Sequence, residues 1–149
     1  MSRVLELCED LPVKQVLAGE NLMTQGGTNL QMAVMKSGKV EVVRDHQQIA
    51  VVDEVGSIFG EMAVILRTKH SASVSALMTS EFYIIEDPYS FLWERAEFNF
   101  ELLNILARRL EQMDRQFASV IHYAETEHDA VEMVESMIEG IVNREPGSE

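Results

Sequence analysis

Residues 55–76 read VGSIFGEMAVILRTKHSASVSA, and most of the sequence-specific chemistry of the 149-residue chain sits in them. The stretch divides into a tight turn at Gly56-Ser57, a Phe59-Gly60-Glu61 corner, one apolar helical turn over Met62–Leu66, a charged loop Arg67-Thr68-Lys69-His70, and an alternating strand from Ser71 to Ala76. A glycine leading into a short helix leaves first-turn amides with no acceptor inside the helix, and the helix dipole adds partial positive charge there. Such a corner suits an anion. Lys69 and His70 can add cationic donors and Ser71 a hydroxyl, which together make a phosphate pocket.

The stretch resembles the phosphate-binding cassette of cyclic nucleotide-binding domains, in which Phe-Gly-Glu-Leu/Met-Ala is followed at a fixed distance by Arg-Ser/Ala/Thr-Ala-x-Val. The matching residues are Phe59, Gly60, Glu61, Met62 and Ala63, then Ser71, Ala72 and Val74. The resemblance extends over roughly residues 13 to 124, through Ala18-Gly19-Glu20, Gln25-Gly26, Met32–Met35 and Ser37–Val42. It implies an antiparallel β-roll or jelly roll followed by a long helix. It also implies that Glu61 bonds a ribose 2′-hydroxyl, while Gly60, the amides of Met62 and Ala63, and Ser71 approach the cyclic phosphate.

One position departs from the pattern: His70 stands where the family places the phosphate-pairing arginine. Arginine offers a permanently charged, bidentate fork, and charge-assisted bonds contribute roughly 1.5–3 kcal/mol each. At about 1.4 kcal/mol per decade its loss weakens binding by about one to two decades. Histidine recovers part of this only when protonated, so binding is expected to be stronger in acid than in base. Lys69 and Arg67 are the alternative cations, although Arg67 also reads as a solvent-facing loop residue. In the catabolite activator type, residues after an Ala-Arg-Arg-Leu segment contact the base. Here that segment is Ala107–Leu110, and Met113 and Asp114 occupy the contact positions.

The formal net charge of -13 argues against a nucleic-acid surface, because phosphate contacts need clustered Lys and Arg. Residues 125–149 hold eight Asp or Glu against the single Arg144. With 46% hydrophobic residues the chain can build a core. No run of about 18 apolar residues predicts a membrane span, and no signal-type segment opens the chain. Cys8 is the only cysteine, which excludes an internal disulfide framework or a thiolate metal cluster. The expected location is cytoplasmic.

In chain order, Ser2 reads as the N-cap of a short amphipathic helix ended by Pro12, with Cys8 on its apolar face as a buried small hydrophobe. From Val13 to Glu86, short runs rich in Val, Ile and Met alternate with turns every 8 to 12 residues, which predicts antiparallel strands in a sandwich or barrel. Strands are expected near Val13–Leu17, Asn21–Thr24, Met32–Lys36, Val40–Arg44, Gln48–Val52, Ser71–Ala76 and Phe82–Glu86. Asp87-Pro88 starts a helix whose Tyr89, Phe91, Leu92 and Trp93 are expected to plug the open end of the barrel.

From about Asn99 to Asn143 the chain reads as helix, with a positions at Leu103, Leu110, Phe117, Ala124, Val131 and Ile138 and d positions at Leu106, Met113, Val120, Glu127, Val134 and Ile141. Eleven of these twelve are apolar, the pattern of a coiled coil between two chains. A homodimer seam is therefore expected through Leu103, Leu106, Leu110, Met113, Phe117, Val120 and Ala124. Glu127, beside Thr126, His128 and Asp129, marks the break. Beyond it the helix either continues or folds back as a hairpin.

Residues 1–97 thus read as a β-roll ligand-binding domain with its cassette at about 55–76, and residues 98–149 as a helical dimerisation segment with an acidic tail. No catalytic or metal-ligating arrangement stands out, so neither enzymatic activity nor a cofactor is expected. The leading expectation is a regulatory module preferring cyclic AMP, homodimeric, passing its signal to an unknown protein partner, with no nucleic acid and no membrane insertion. A degenerate domain without nucleotide, serving as a dimeric scaffold, is the second. A sensor of a cyclic dinucleotide or haem is the third.

Overall fold

The computed structural model describes residues 2–124 and 128–142, with the side chains of residue 124 and of residues 128–131 left aside. It divides after Glu101 into two compact units. The first begins with a one-turn helix α1 (Arg3–Glu6), continues through β1 (Val13–Val16), β2 (Asn21–Met23), β3 (Met32–Ser37), β4 (Val40–Arg44) and β5 (Gln47–Val52), and reaches a two-residue strand β6 (Ile58–Phe59). Helix α2 (Glu61–Leu66), β7 (Ser73–Ala76), β8 (Ser80–Ile85), helix α3 (Pro88–Glu94) and the start of α4 (Ala96–Ala124) complete it.

Two four-stranded antiparallel sheets face each other, ordered β1-β8-β3-β6 and β2-β7-β4-β5. Both supply the core: Val16, Ala33, Met35, Phe59, Phe82 and Ile84 from the first meet Met23, Val40, Val74 and Ala76 from the second. Phe59 and Phe82 meet edge to face with centroids 6.0 Å apart. Each fully buried large side chain contributes roughly 1.5–3 kcal/mol. Residues 32 to 35 are buried on both faces of β3, because Val4 and Cys8 of the N-terminal segment add to the buried core and α1 packs on that strand. A continuous apolar run in place of alternation is the sequence mark of such a doubly covered strand. The expected jelly-roll architecture is therefore present.

Asp45 and His46 both take positive φ, 50° and 63°, and close a two-residue hairpin between Arg44 and Gln47. That is the turn whose twist matches paired strands. Across the molecule β5 is exposed along nearly its whole length, Ile49 and Val51 included, and forms the edge of its sheet.

Two expectations are corrected here. The helix begun by Asp87-Pro88 does not deliver all its aromatic residues to a plug: Phe91 is buried edge to face against Phe98, with centroids 4.8 Å apart, whereas Trp93 is 88% exposed. The break at Arg95, which falls between α3 and α4, leaves Trp93 on the outer side of α3. The strand β6, hydrogen-bonded to β3 through Ala33 and Val34, was not expected at all.

In the second unit, α4 ends at Ala124 and α5 (His128–Val142) follows. Met113, Gln116, Phe117 and Val120 of α4 share a cleft of about 220 Å³ with Val134 and Met137 of α5. With only three residues between the helices, this juxtaposition means that α5 returns along α4. The hairpin, not a continued coil, is the arrangement found. Glu127 and its neighbours through residue 126 lie outside the described residues.

Candidate functional site

The chain enters the site through a clamp on β3: the Gly56 amide donates to the Met35 carbonyl at 2.8 Å, and the Met35 amide donates to the Ser57 carbonyl at 2.9 Å. Phe59 is thereby driven into the core, and the next residue must turn sharply into α2. Gly60 does so at φ 83°, a left-handed conformation that side chains oppose. A Cβ at residue 60 would also lie 2.4 Å from the Gln31 carbonyl oxygen and 2.7 Å from the Met23 methyl. Glycine is thus needed for packing as well as for the turn.

Glu61 follows in the first turn of α2, only 4% exposed. It is a buried carboxylate at a helix start, where the dipole stabilises negative charge. Met62 is exposed, and Ala63 and Val64 are buried. The first-turn amides of a helix have no acceptor within it.

Arg67 ends α2 at φ 54°, while the Thr68 amide donates to the Ala63 carbonyl at 3.0 Å. Its guanidinium lies 5.4 Å from the Tyr89 ring centroid, and the Tyr89 hydroxyl donates to the Val64 carbonyl at 3.0 Å. Arg67 is therefore spent on the junction of α2 and α3 by a cation–π contact. It is an exposed residue whose guanidinium rests against that ring.

His70 is 7% exposed. Its amide donates to the Gly27 carbonyl at 3.0 Å, its carbonyl accepts from the Gly26 amide at 2.8 Å, and its Nε2 donates to the Asn29 carbonyl at 2.5 Å. Because a carbonyl can only accept, that bond fixes the proton on Nε2. Lys69 and Ser71 are exposed and Ala72 is half-buried.

One loop thus receives both ends of the corner. Gln31 abuts Gly60, and Gly27 and Asn29 hold His70. The structure brings Phe59, Gly60, Glu61, Met62 and Ala63 together on one continuous bend, with Lys69, His70, Ser71 and Ala72 at its far end. Met113 lies in the cleft between α4 and α5, and Asp114 is an exposed residue of α4. Reading the sequence missed the loop 27–31 as a partner of the corner. Its contribution is largely backbone carbonyls, which carry no side-chain signature; the Gly26-Gly27 pair was the available signal, since close backbone approach favours glycine.

A family model described as cyclic nucleotide-binding domain matches residues 13–89. A search of curated proteins finds no match. Among solved structures, a cyclic nucleotide-binding domain from Methylobacillus flagellatus shares 26% identity over 74% of this chain and 66% of its own, with a TM-score of 0.60. This chain therefore spans about two thirds of that one. The catabolite activator protein of Thermus thermophilus superposes over 99% of this chain and 88% of its own, at 20% identity and a TM-score of 0.64. A PKAR CBD2 domain bound to Sp-2Cl-cAMPS superposes over 77% of this chain and 75% of its own, at 19% identity and a TM-score of 0.60.

Proposed function

The chain belongs to the cyclic nucleotide-binding domain family, and on that premise we propose that it is a non-catalytic, cyclic AMP-preferring regulatory module that signals through its C-terminal helices as a homodimer. The observation that carries the reading is the corner itself: a left-handed Gly60 and a buried Glu61 at the start of α2, held as one bend by β3 and the loop 27–31. Glu61 takes the ribose hydroxyl in this reading, and the amides of Met62 and Ala63 take the phosphate together with Ser71. Lys69, exposed beside them, supplies the mobile cation that His70 does not. Met113 and Asp114 of α4 are the residues proposed to meet the base.

Nucleotide binding biases the position of the helices, and a ligand shifts such an equilibrium only by its differential affinity for the two states. The dimer seam proposed is Leu103, Leu106, Leu110, Met113, Phe117, Val120 and Ala124. Leu103, Leu110, Met113 and Val120 are each more than half exposed in the single chain, which supports a face awaiting a partner. No described helix is long and apolar enough to cross a membrane.

One observation favours the second reading, a nucleotide-free dimeric scaffold: the His70 imidazole is already committed to the Asn29 carbonyl. Isothermal titration with cyclic AMP, cyclic GMP and 5′-AMP at pH 6 and pH 8 separates the two. The sensor reading expects saturable cyclic AMP binding, one to two decades weaker than an arginine would give, and abolished in Glu61→Ala. Absence of heat with every nucleotide leaves the scaffold.

A further inference from the structure

Four strands end the two sheets, β1 and β6 the first, β2 and β5 the second. An open edge offers unpaired amides and carbonyls to any strand that approaches, and chains guard it with shortness or charge. Strand β6 has two residues, β2 has three, and β1 carries Lys14 among its four. Strand β5 has six residues and no charge. Residues 47–51 of it are all exposed, Ile49 by 59% and Val51 by 46%. Among the described residues β5 pairs with β4 alone, so no strand lies on its other edge. Its one protective feature is a bulge at Ile49, between the Val42–Ala50 and Val43–Gln48 pairs, and beyond it Ala50–Val52 keep regular register with β4.

The two ends of this strand differ in charge. Arg44 and His46 precede it and Asp53 and Glu54 follow it, all four exposed. Asp45 interrupts the basic end, but it is held by Gln25, whose side-chain amide donates to the Asp45 carboxylate at 2.8 Å and whose side-chain carbonyl accepts from the Asp45 amide at 2.9 Å. Arg44 reaches that carboxylate only at 4.0 Å. The side chains of Asp53 and Glu54 have no ion-pair or hydrogen-bond partner among the described residues. Antiparallel pairing of two identical strands sets the start of each against the end of the other, so opposite charges meet at both ends. Parallel pairing would set like on like.

We propose that the free edge of β5 is an interface between copies of this chain, distinct from the helical face: two β5 strands pair antiparallel about a twofold axis and join their sheets into one. The pairing is isologous, so it closes at two copies. Backbone hydrogen bonds along the edge supply the attraction, as in strand addition generally. Arg44 and His46 of one copy face Asp53 and Glu54 of the other and fix the direction.

The contact is tested by sedimentation from about 10 µM to about 1 mM, in the full chain carrying Leu110→Glu and Val120→Glu, which takes the helical face out of play. A six-residue edge buries much less than a standard interface, so a monomer is expected at the low end and a dimer, nothing larger, at the high end. Val51→Lys, opposite Glu41 in the ladder, abolishes that dimer. Arg44→Glu and Asp53→Lys each weaken it several-fold, and the two combined restore it. In the native chain the same edge adds mass beyond the helical dimer at high concentration, and Val51→Lys removes the excess. That expectation rests on the homodimer proposed above; a native chain without a helical dimer shows the edge dimer directly. A monomer throughout the series, growth past a dimer in the helix variant, indifference to Val51→Lys, or single charge reversals that stay defective when combined overturns the proposal.

Discussion

Gly60 shows how a single residue joins fold and function. Any side chain there meets two penalties, a positive φ and a Cβ 2.4 Å from a backbone oxygen that cannot swing aside. The first costs of order 1–3 kcal/mol and overpacking typically a similar amount. Gly60→Ala is therefore expected to destabilise the chain by about 2–6 kcal/mol in urea unfolding. An equal stability in the variant excludes the close approach of Gln31 to the corner. His70 makes the opposite case. It stands where the resemblance places a phosphate-pairing arginine, and its hydrogen bonds go to the backbone of residues 26, 27 and 29. Sequence carries no record of which carbonyl a side chain will find.

At the scale of elements, the strands were legible because short runs rich in Val, Ile and Met are separated by turn residues, and their observed ends fall within about two residues of expectation. Strand β6 was not, since two apolar residues cannot display a period. The N-terminal segment is fastened by Arg95, which donates to the Leu7 carbonyl at 3.0 Å, pairs with Asp10 and lies 4.7 Å from the Phe91 centroid. Inside this clasp Cys8 is fully buried, and burial pushes its thiol from an ordinary 9.0 up to about 11. Because the folded value is raised, the associated stability is complete below pH 9.0 and is lost as pH rises through about 11. At pH 8 a disulfide reagent is expected to leave native Cys8 unmodified. Arg95→Ala removes a nearby positive charge, which by electrostatics alone makes the thiol less acidic, yet it also opens the clasp. Faster modification in that variant shows that access dominates; slower modification shows that α1 is held without Arg95.

For the whole molecule, the hairpin changes what a dimer must look like. A lone helix would present one seam, whereas α4 and α5 together expose Leu103, Leu110, Met113 and Val120 on one helix and Met133, Met137, Ile141 and Val142 on the other. In the proposed dimer two such hairpins would make a four-helix bundle, in which isologous pairing buries both sets at once. The heptad spacing legible in residues 103–124 serves this arrangement as well as a two-stranded coil, which is why spacing alone left the course after residue 124 open. Sedimentation is expected to find a dimer, and Leu110→Glu with Val120→Glu a folded monomer. A wild-type monomer under the same conditions removes the bundle.

Trp93 is the only tryptophan in the chain, and it stands almost wholly in water on the outside of α3. Its indole has the same surroundings whether the sheets are packed or melted. Tryptophan emission is therefore nearly blind to the collapse of this fold, yet any partner that settles on α3 dries the one indole that can report it.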